Sequence, residues 1–240
     1  DAVREAAETA RSRGIASGVN LACTANLNNP PGYVGGTRET SHAVLASAIL
    51  CEPAWLLPAV EATDGKTGFI LFDVEEKVRG WQDAVAAASK HIKHSMMYTY
   101  KPNDIAVAGA DALLAELVQP LAGKTVAILG AGNIGGKLAL RLAERGAEVR
   151  LWRRDKAALE TLAAGLKILL KGKGTLLAET EIQKAAAGAE AIVGCTPGIP
   201  VITDKLLSVA APGSLVLDVG NGTLHPDAVE YSYKHGSRVL

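Results

Sequence analysis

The apolar positions of this chain follow two regimes, and the change comes near its middle. From Thr125 onward short apolar runs alternate with amphipathic stretches. Thr125–Leu129 predicts a strand. Asn133–Arg145 predicts a helix, because Ile134, Leu138 and Leu142 recur at helical spacing and Gly146 stands where a terminating glycine belongs. Glu148–Trp152 reads as a second strand, and Asp155 as the N-cap of a helix carrying Leu159 and Leu162. Further strands are expected at Lys167–Leu170, Ala191–Cys195, Ser214–Val219 and Ser237–Leu240. Strand–helix alternation of this kind implies a parallel sheet with right-handed crossovers.

The first half is less regular. Asp1–Arg13 predicts a helix stopped by Gly14, and Val19–Thr24 a short strand. Residues 26–36 hold Asn28, Asn29, Pro30, Pro31 and three glycines, which predicts a loop, since Pro and Gly oppose regular ladders. A helix is expected over Arg38–Cys51, opened by Thr37 or Thr40. Phe69–Val74 predicts a strand, Trp81–Ile92 and Val107–Val118 predict helices, and Pro120–Lys124 breaks the chain. The mixture implies a smaller α/β domain whose strand order is not readable.

Composition narrows the function classes. With 48% hydrophobic and 21% charged residues the chain is globular rather than disordered. Lys+Arg and Asp+Glu both number 25, so no global field draws nucleic acid or an anionic membrane. Three widely spaced cysteines, Cys23, Cys51 and Cys195, lack a C-x-x-C pair. They predict buried free thiols, no structural metal site and a cytoplasmic setting. Apolar runs such as Ala43–Leu50 are too short to span a bilayer. No leader pattern is visible; with Asp1 inside a helix and Leu240 inside a strand, the native termini are expected to lie beyond this stretch.

The chemistry is concentrated after the first strand of the second half. Gly130-Ala131-Gly132-Asn133-Ile134-Gly135 spells G-x-G-x-x-G between an apolar strand and an amphipathic helix. In that context Gly130 permits the tight turn, Gly132 lets the backbone approach a pyrophosphate, and Gly135 lets helix and strand pack closely. Asn133 and Ile134 open the helix whose N-terminus favours phosphate. The fold class is therefore α/β, a C-terminal Rossmann dinucleotide-binding domain at 120–240 preceded by a smaller α/β domain at 1–119.

The end of the second strand selects the dinucleotide. Binders of NAD place a carboxylate there for the ribose 2′-hydroxyl. This chain reads Trp152-Arg153-Arg154-Asp155-Lys156, and Arg153 with Arg154 suits a 2′-phosphate, so the expected cofactor is NADP. Cys195-Thr196-Pro197-Gly198 and Asp218–Gly220 end later strands at the carboxyl edge, where they are expected to line the nicotinamide end, with Thr196, Pro197, Asp218 and Gly220 as the contacting residues.

The run Cys195-Thr196-Pro197-Gly198-Ile199-Pro200-Val201-Ile202-Thr203, with Ala211-Pro212-Gly213 leading to Asp218-Val219-Gly220, resembles methylenetetrahydrofolate dehydrogenase/cyclohydrolases. The glycine loop, the Arg153-Arg154 turn and the Thr196-Pro197 turn equally resemble shikimate dehydrogenases and glutamyl-tRNA reductases. The resemblance covers about half the chain and implies NADP-dependent redox chemistry, with a catalytic domain before the Rossmann domain. The chain departs from both patterns: no Tyr is followed four residues later by Lys, and Asn103-Asp104 lacks the Thr of an N-T-D motif.

Hydride transfer to C=O or C=N needs a proton donor. Tyr98–Asp104 concentrates polar groups before the helix leading into the Rossmann domain, so Lys101 is the expected acid/base, its charge set by Asp104, in an interdomain cleft. Gly35–His42, with Arg38 at a helix start, is a second candidate as an anion cradle; ordinary capping by Thr37 or Thr40 is its alternative. The reading is an NADP-dependent oxidoreductase acting on a small polar metabolite, with no nucleic-acid or membrane partner and a homo-oligomer left open. Two alternatives stay open: a methylene-tetrahydropterin dehydrogenase, and a non-catalytic protein that senses NADP(H).

Overall fold

The computed structural model describes residues 1–24 and 32–240. They form two compact units, Asp1–Pro102 and Asn103–Leu240. The first contains α1 (Ala2–Arg13), β1 (Ala16–Cys23), β2 (Gly32–Glu39), β3 (Ala43–Leu50), α2 (Leu56–Thr63), β4 (Phe69–Asp73), α3 (Trp81–Ser89) and β5 (Met96–Tyr100). The sheet order is β2-β3-β1-β4-β5, parallel except for the antiparallel β2.

Alternation along these strands decides which side becomes core. Val19, Leu21, Val44, Ala46, Ile70 and Phe72 share one face and join Ala6 and Ala10 of α1, Val60 of α2 and Trp81 and Val85 of α3 in one buried cluster. Burying each large side chain contributes about 1.5–3 kcal/mol. On the reverse face Asn20, Ser47 and Leu71 are only half-buried.

The helix expected over Arg38–Cys51 is absent: Gly32–Glu39 and Ala43–Leu50 form a hairpin. Ala-rich β3 favours helix locally, but eight paired residues against β1 override that propensity. Thr40 caps after all, but it caps the hairpin turn. Its Oγ1 accepts the N–H groups of His42 at 3.2 Å and Ala43 at 2.9 Å. The loop expected over 26–36 is strand from Gly32 onward, and its residues 26–31 lie outside the described residues. The anion cradle at a helix start therefore does not exist in that form.

The second unit contains nearly all of α4 (Pro102–Leu117), then β6 (Thr125–Leu129), α5 (Asn133–Glu144), β7 (Glu148–Trp152), α6 (Lys156–Leu169), β8 (Thr175–Glu179) and α7 (Ile182–Ala186). It continues with β9 (Ala191–Gly194), α8 (Asp204–Leu207), β10 (Leu215–Asp218), α9 (Pro226–His235) and β11 (Arg238–Val239). All six strands are parallel in the order β11-β10-β9-β6-β7-β8. This is the doubly wound Rossmann order, whose direction reverses between β6 and β9.

Two boundaries differ from expectation. Val107, Ala110 and Leu114 give α4 an apolar stripe that packs into the second core, so the compact units divide after Pro102, the first residue of α4, rather than at residue 119. Lys167–Leu170 is not a strand. Leu159, Ala163 and Leu166 carry the helical stripe of α6 through it, and Ile168 is left 86% exposed. The strand comes after Gly172 and Gly174, at β8.

Candidate functional site

The carboxyl ends of β6, β7 and β9 surround a cavity of about 320 Å³. Backbone bonds hold its walls together. The N–H groups of Gly130 and Ala131 donate to the Trp152 carbonyl at 2.9 and 3.0 Å, tying the glycine loop to the end of β7. Cys195 N–H donates to the Leu129 carbonyl at 2.7 Å, which fixes the β9 turn to β6. Gly130 sits at φ +106°, and a Cβ there would lie 2.6 Å from the Cys195 carbonyl carbon. Any side chain would force the two turns apart.

Of the residues selected from sequence, Gly130, Gly132, Arg153, Arg154, Thr196 and Pro197 line this cavity. A Cβ at Gly132 would meet nothing within 4 Å, so the first turn of α5 faces space that a phosphate chain can fill. Arg153 reaches back over the loop, its Nη1 donating to the Ala131 carbonyl at 3.5 Å. Asp155 caps α6, its Oδ1 accepting the Ala158 N–H at 3.0 Å. These residues fit a dinucleotide: open backbone at a helix start, with two guanidinium groups at the end of the adjacent strand.

The other selected residues serve the framework. Ile134 packs on the core. Gly135 is buried, and a Cβ there would lie 2.5 Å from the Gly130 carbonyl oxygen. Asn133 is exposed and does not line the cavity. Asp218 turns into its own loop: Oδ2 accepts the N–H groups of Gly222 and Thr223, and Oδ1 accepts the Thr223 hydroxyl at 2.8 Å. Gly220 lets that loop approach β9, since a Cβ would lie 2.0 Å from the Thr196 carbonyl oxygen. Thr196 spends its hydroxyl on the Ile199 carbonyl at 2.6 Å.

Trp152, Ile199 and Val201 line the cavity without a sequence signal that pointed to them, and Cys195 lines it as part of the turn expected there. Burial, reinforced by the Asp218 charge, pushes the Cys195 thiol up to about 12, so it meets the cavity as a neutral group.

Lys101 is exposed between β5 and α4 and lines neither this cavity nor the one in the first unit. Tyr98 to Tyr100 belong to strand β5 rather than to a polar turn. Asp104 accepts from Lys137 Nζ at 2.6 Å, so its ion-pair partner is on α5.

The first unit holds a cavity of its own, about 360 Å³, at the carboxyl ends of β1 and β4 and against β2. Asp73, fully buried, is its electrostatic centre. Oδ2 accepts Lys77 Nζ at 2.8 Å and the Cys23 N–H at 3.3 Å, while Oδ1 accepts the Glu75 N–H at 2.8 Å. The Tyr100 hydroxyl donates to Asn20 Oδ1 at 2.6 Å. Burial, then the Asp73 charge, raises Tyr100 to about 12, and the same two causes raise the Cys23 thiol to about 11. Sequence reasoning overlooked Asn20, Asp73 and Lys77. A carboxylate ending a parallel strand, four residues before a lysine, was the available signal.

Among the described residues no helix is long and apolar enough to cross a membrane. Residues 126–240 match the family model of ketopantoate reductase PanE/ApbA. A search of curated proteins finds no match. Among solved structures, ligand-free 5-ketofructose reductase of Gluconobacter sp. strain CHM43 is similar at TM-score 0.54 and 18% identity, over 94% of this chain and 86% of that one. L-tryptophan dehydrogenase from Nostoc punctiforme gives 0.52 and 17%, over 95% and 70%. A mitochondrial ornithine carbamoyltransferase from Coccidioides immitis gives 0.53 and 14%, over 100% and 86%. At such identities the likeness is one of fold, shared by redox and transfer enzymes alike. The family match lies wholly within the second unit, whose strand order is that of a Rossmann domain.

Proposed function

We propose that this protein is an NADP-dependent oxidoreductase that moves a hydride to or from a C=O or C=N/C–N group of a small polar metabolite. The observation that carries the reading is the cavity where the glycine loop, Arg153 with Arg154, and the Thr196-Pro197 turn converge. The reductase family match over residues 126–240 supports the redox class. When bound, the dinucleotide would supply the hydride, or take it up. This chain's own contribution is positional. Open backbone at Gly132 would receive the pyrophosphate, and Arg153 and Arg154 would hold a 2′-phosphate in charge-assisted hydrogen bonds. The apolar wall made by Ile199 and Val201 would keep water from the reacting carbon. The proton that accompanies the hydride needs a donor, and Lys101 is the one selected from sequence.

Fluorescence titration with NADPH and NADH tests the cofactor assignment. Wild type is expected to bind NADPH the more tightly. Arg153→Ala is expected to lose about 10- to 150-fold of that affinity, with little change for NADH. Equal affinities in wild type would remove the NADP assignment.

A further inference from the structure

The strand β2 contains one irregularity, and it sits beside the first-unit cavity. Gly35 pairs with Ser47 and Arg38 with Leu45, so three steps along β2 oppose two along β3. The extra residue is a β-bulge, which re-aims the side chains beyond it. Without it Arg38 would point to the face opposite Gly35. With it, Arg38 shares the face of Tyr33, Gly35 and Ser47, all of which line the cavity. The two glycines beside it leave room: a Cβ at Gly36 would meet nothing within 4 Å, and one at Gly35 only ordinary contacts with Ser47.

Arg38 forms no ion pair among the described residues. Lys77 uses two donors, on Asp73 and on the Cys23 carbonyl, and an ammonium has three. With Asp73 as carboxylate, the charged lining of Arg38, Lys77 and Asp73 sums to one positive charge. Asn20 and the oxygen of Tyr100 add neutral hydrogen-bonding capacity at the same wall. The volume of about 360 Å³ is on the order of a dozen water volumes, at the small end of metabolite sites.

We propose that this cavity binds a small monocarboxylate bearing an adjacent oxo or hydroxyl oxygen. Arg38 holds the carboxylate as a two-pronged donor, and Lys77 with the Asn20–Tyr100 pair receives the neighbouring oxygen. As a substrate site it rests on the oxidoreductase reading above; as a carboxylate site it stands without it. The planar guanidinium matches a carboxylate in a way an ammonium does not.

The test uses the whole chain without any dinucleotide. Isothermal titration calorimetry with lactate, glycerate and pyruvate, and with their amides, separates charge recognition from shape. At least one acid is expected to bind saturably and its amide at least tenfold more weakly. Arg38→Gln is expected to weaken the acid by a similar factor and to leave the amide unchanged, while Arg38→Lys restores part of the affinity. Arg11→Gln, which removes the same charge from an exposed position of α1, is expected to have no effect. Absence of saturable binding by every acid overturns the proposal. So does equal binding of acid and amide, or an Arg38→Gln protein that is folded by circular dichroism and binds the acid as wild type does. NADPH titration is unaffected by any of these outcomes, so failure here and failure of the cofactor assignment are told apart.

Discussion

Replacing Lys77 by Met tests whether the Asp73 ion pair holds the first unit together. Asp73 is 0% exposed and Lys77 only 26%, with 2.8 Å between charged atoms. Removing one partner of a buried pair typically costs about 3–5 kcal/mol, because the other charge is left without compensation. Two features reduce that here. The carboxylate keeps the N–H groups of Cys23 and Glu75, and Lys77 retains some contact with water. We therefore expect about 2–3 kcal/mol, a shift of about 30- to 150-fold in the unfolding equilibrium. Adding Asp73→Asn to Lys77→Met should recover part of this loss, since no buried charge then remains. Because the chain has two units, a global melt mixes two transitions. Hydrogen exchange of the β1 and β4 amides isolates the first. Protection of those amides at the wild-type level in Lys77→Met, or a double variant less stable than that single one, would refute the reasoning.

Two further outcomes follow from the geometry. Asp64 accepts the N–H groups of Ser95, Lys93 and His94, and these bonds, Ser95 first, hold its carboxyl down at about 2. A depressed folded value contributes stability above the unfolded value of about 3.9 and loses it as pH falls toward about 2. Urea midpoints in that window should therefore fall more steeply for wild type than for Asp64→Asn, and parallel curves would count against the cap. Gly220→Ala should cost about 1–3 kcal/mol by overpacking, because the new methyl would lie 2.0 Å from the Thr196 carbonyl oxygen. It should also weaken dinucleotide binding by displacing the Thr196 turn, and a variant with unchanged melting would show that the two loops part freely.

The two halves of this chain differ in how far their sequence discloses them, and the reason is where each half stores its information. In the second unit the signals are local. Val126 to Leu129 is a completely buried run, Gly130 must adopt φ +106°, and Arg153 and Arg154 follow β7 directly, so strand, turn, helix and charged edge can be read in chain order. What failed there failed for a local reason too: the carboxylate of Asp218 looks available at a strand end, yet the Gly222 and Thr223 donors that consume it arrive four and five residues later. In the first unit the decisive contacts are distant. Tyr100 bonds Asn20 across 80 residues, and Cys23 meets Asp73 across 50. No periodicity links such pairs. The β3 segment illustrates the same limit, because Ala43–Leu50 has helix-forming composition and becomes a strand only once β1 and β2 flank it. Arg38 was singled out as an anion ligand on a helix that does not exist, and it lines a cavity through a bulge that no local pattern announces. The chemistry of that side chain was legible, while its placement was set by a register shift. An exposed arginine on a regular β2 would face the other way, so the effect expected of Arg38→Gln depends on the bulge that turns this side chain toward the cavity.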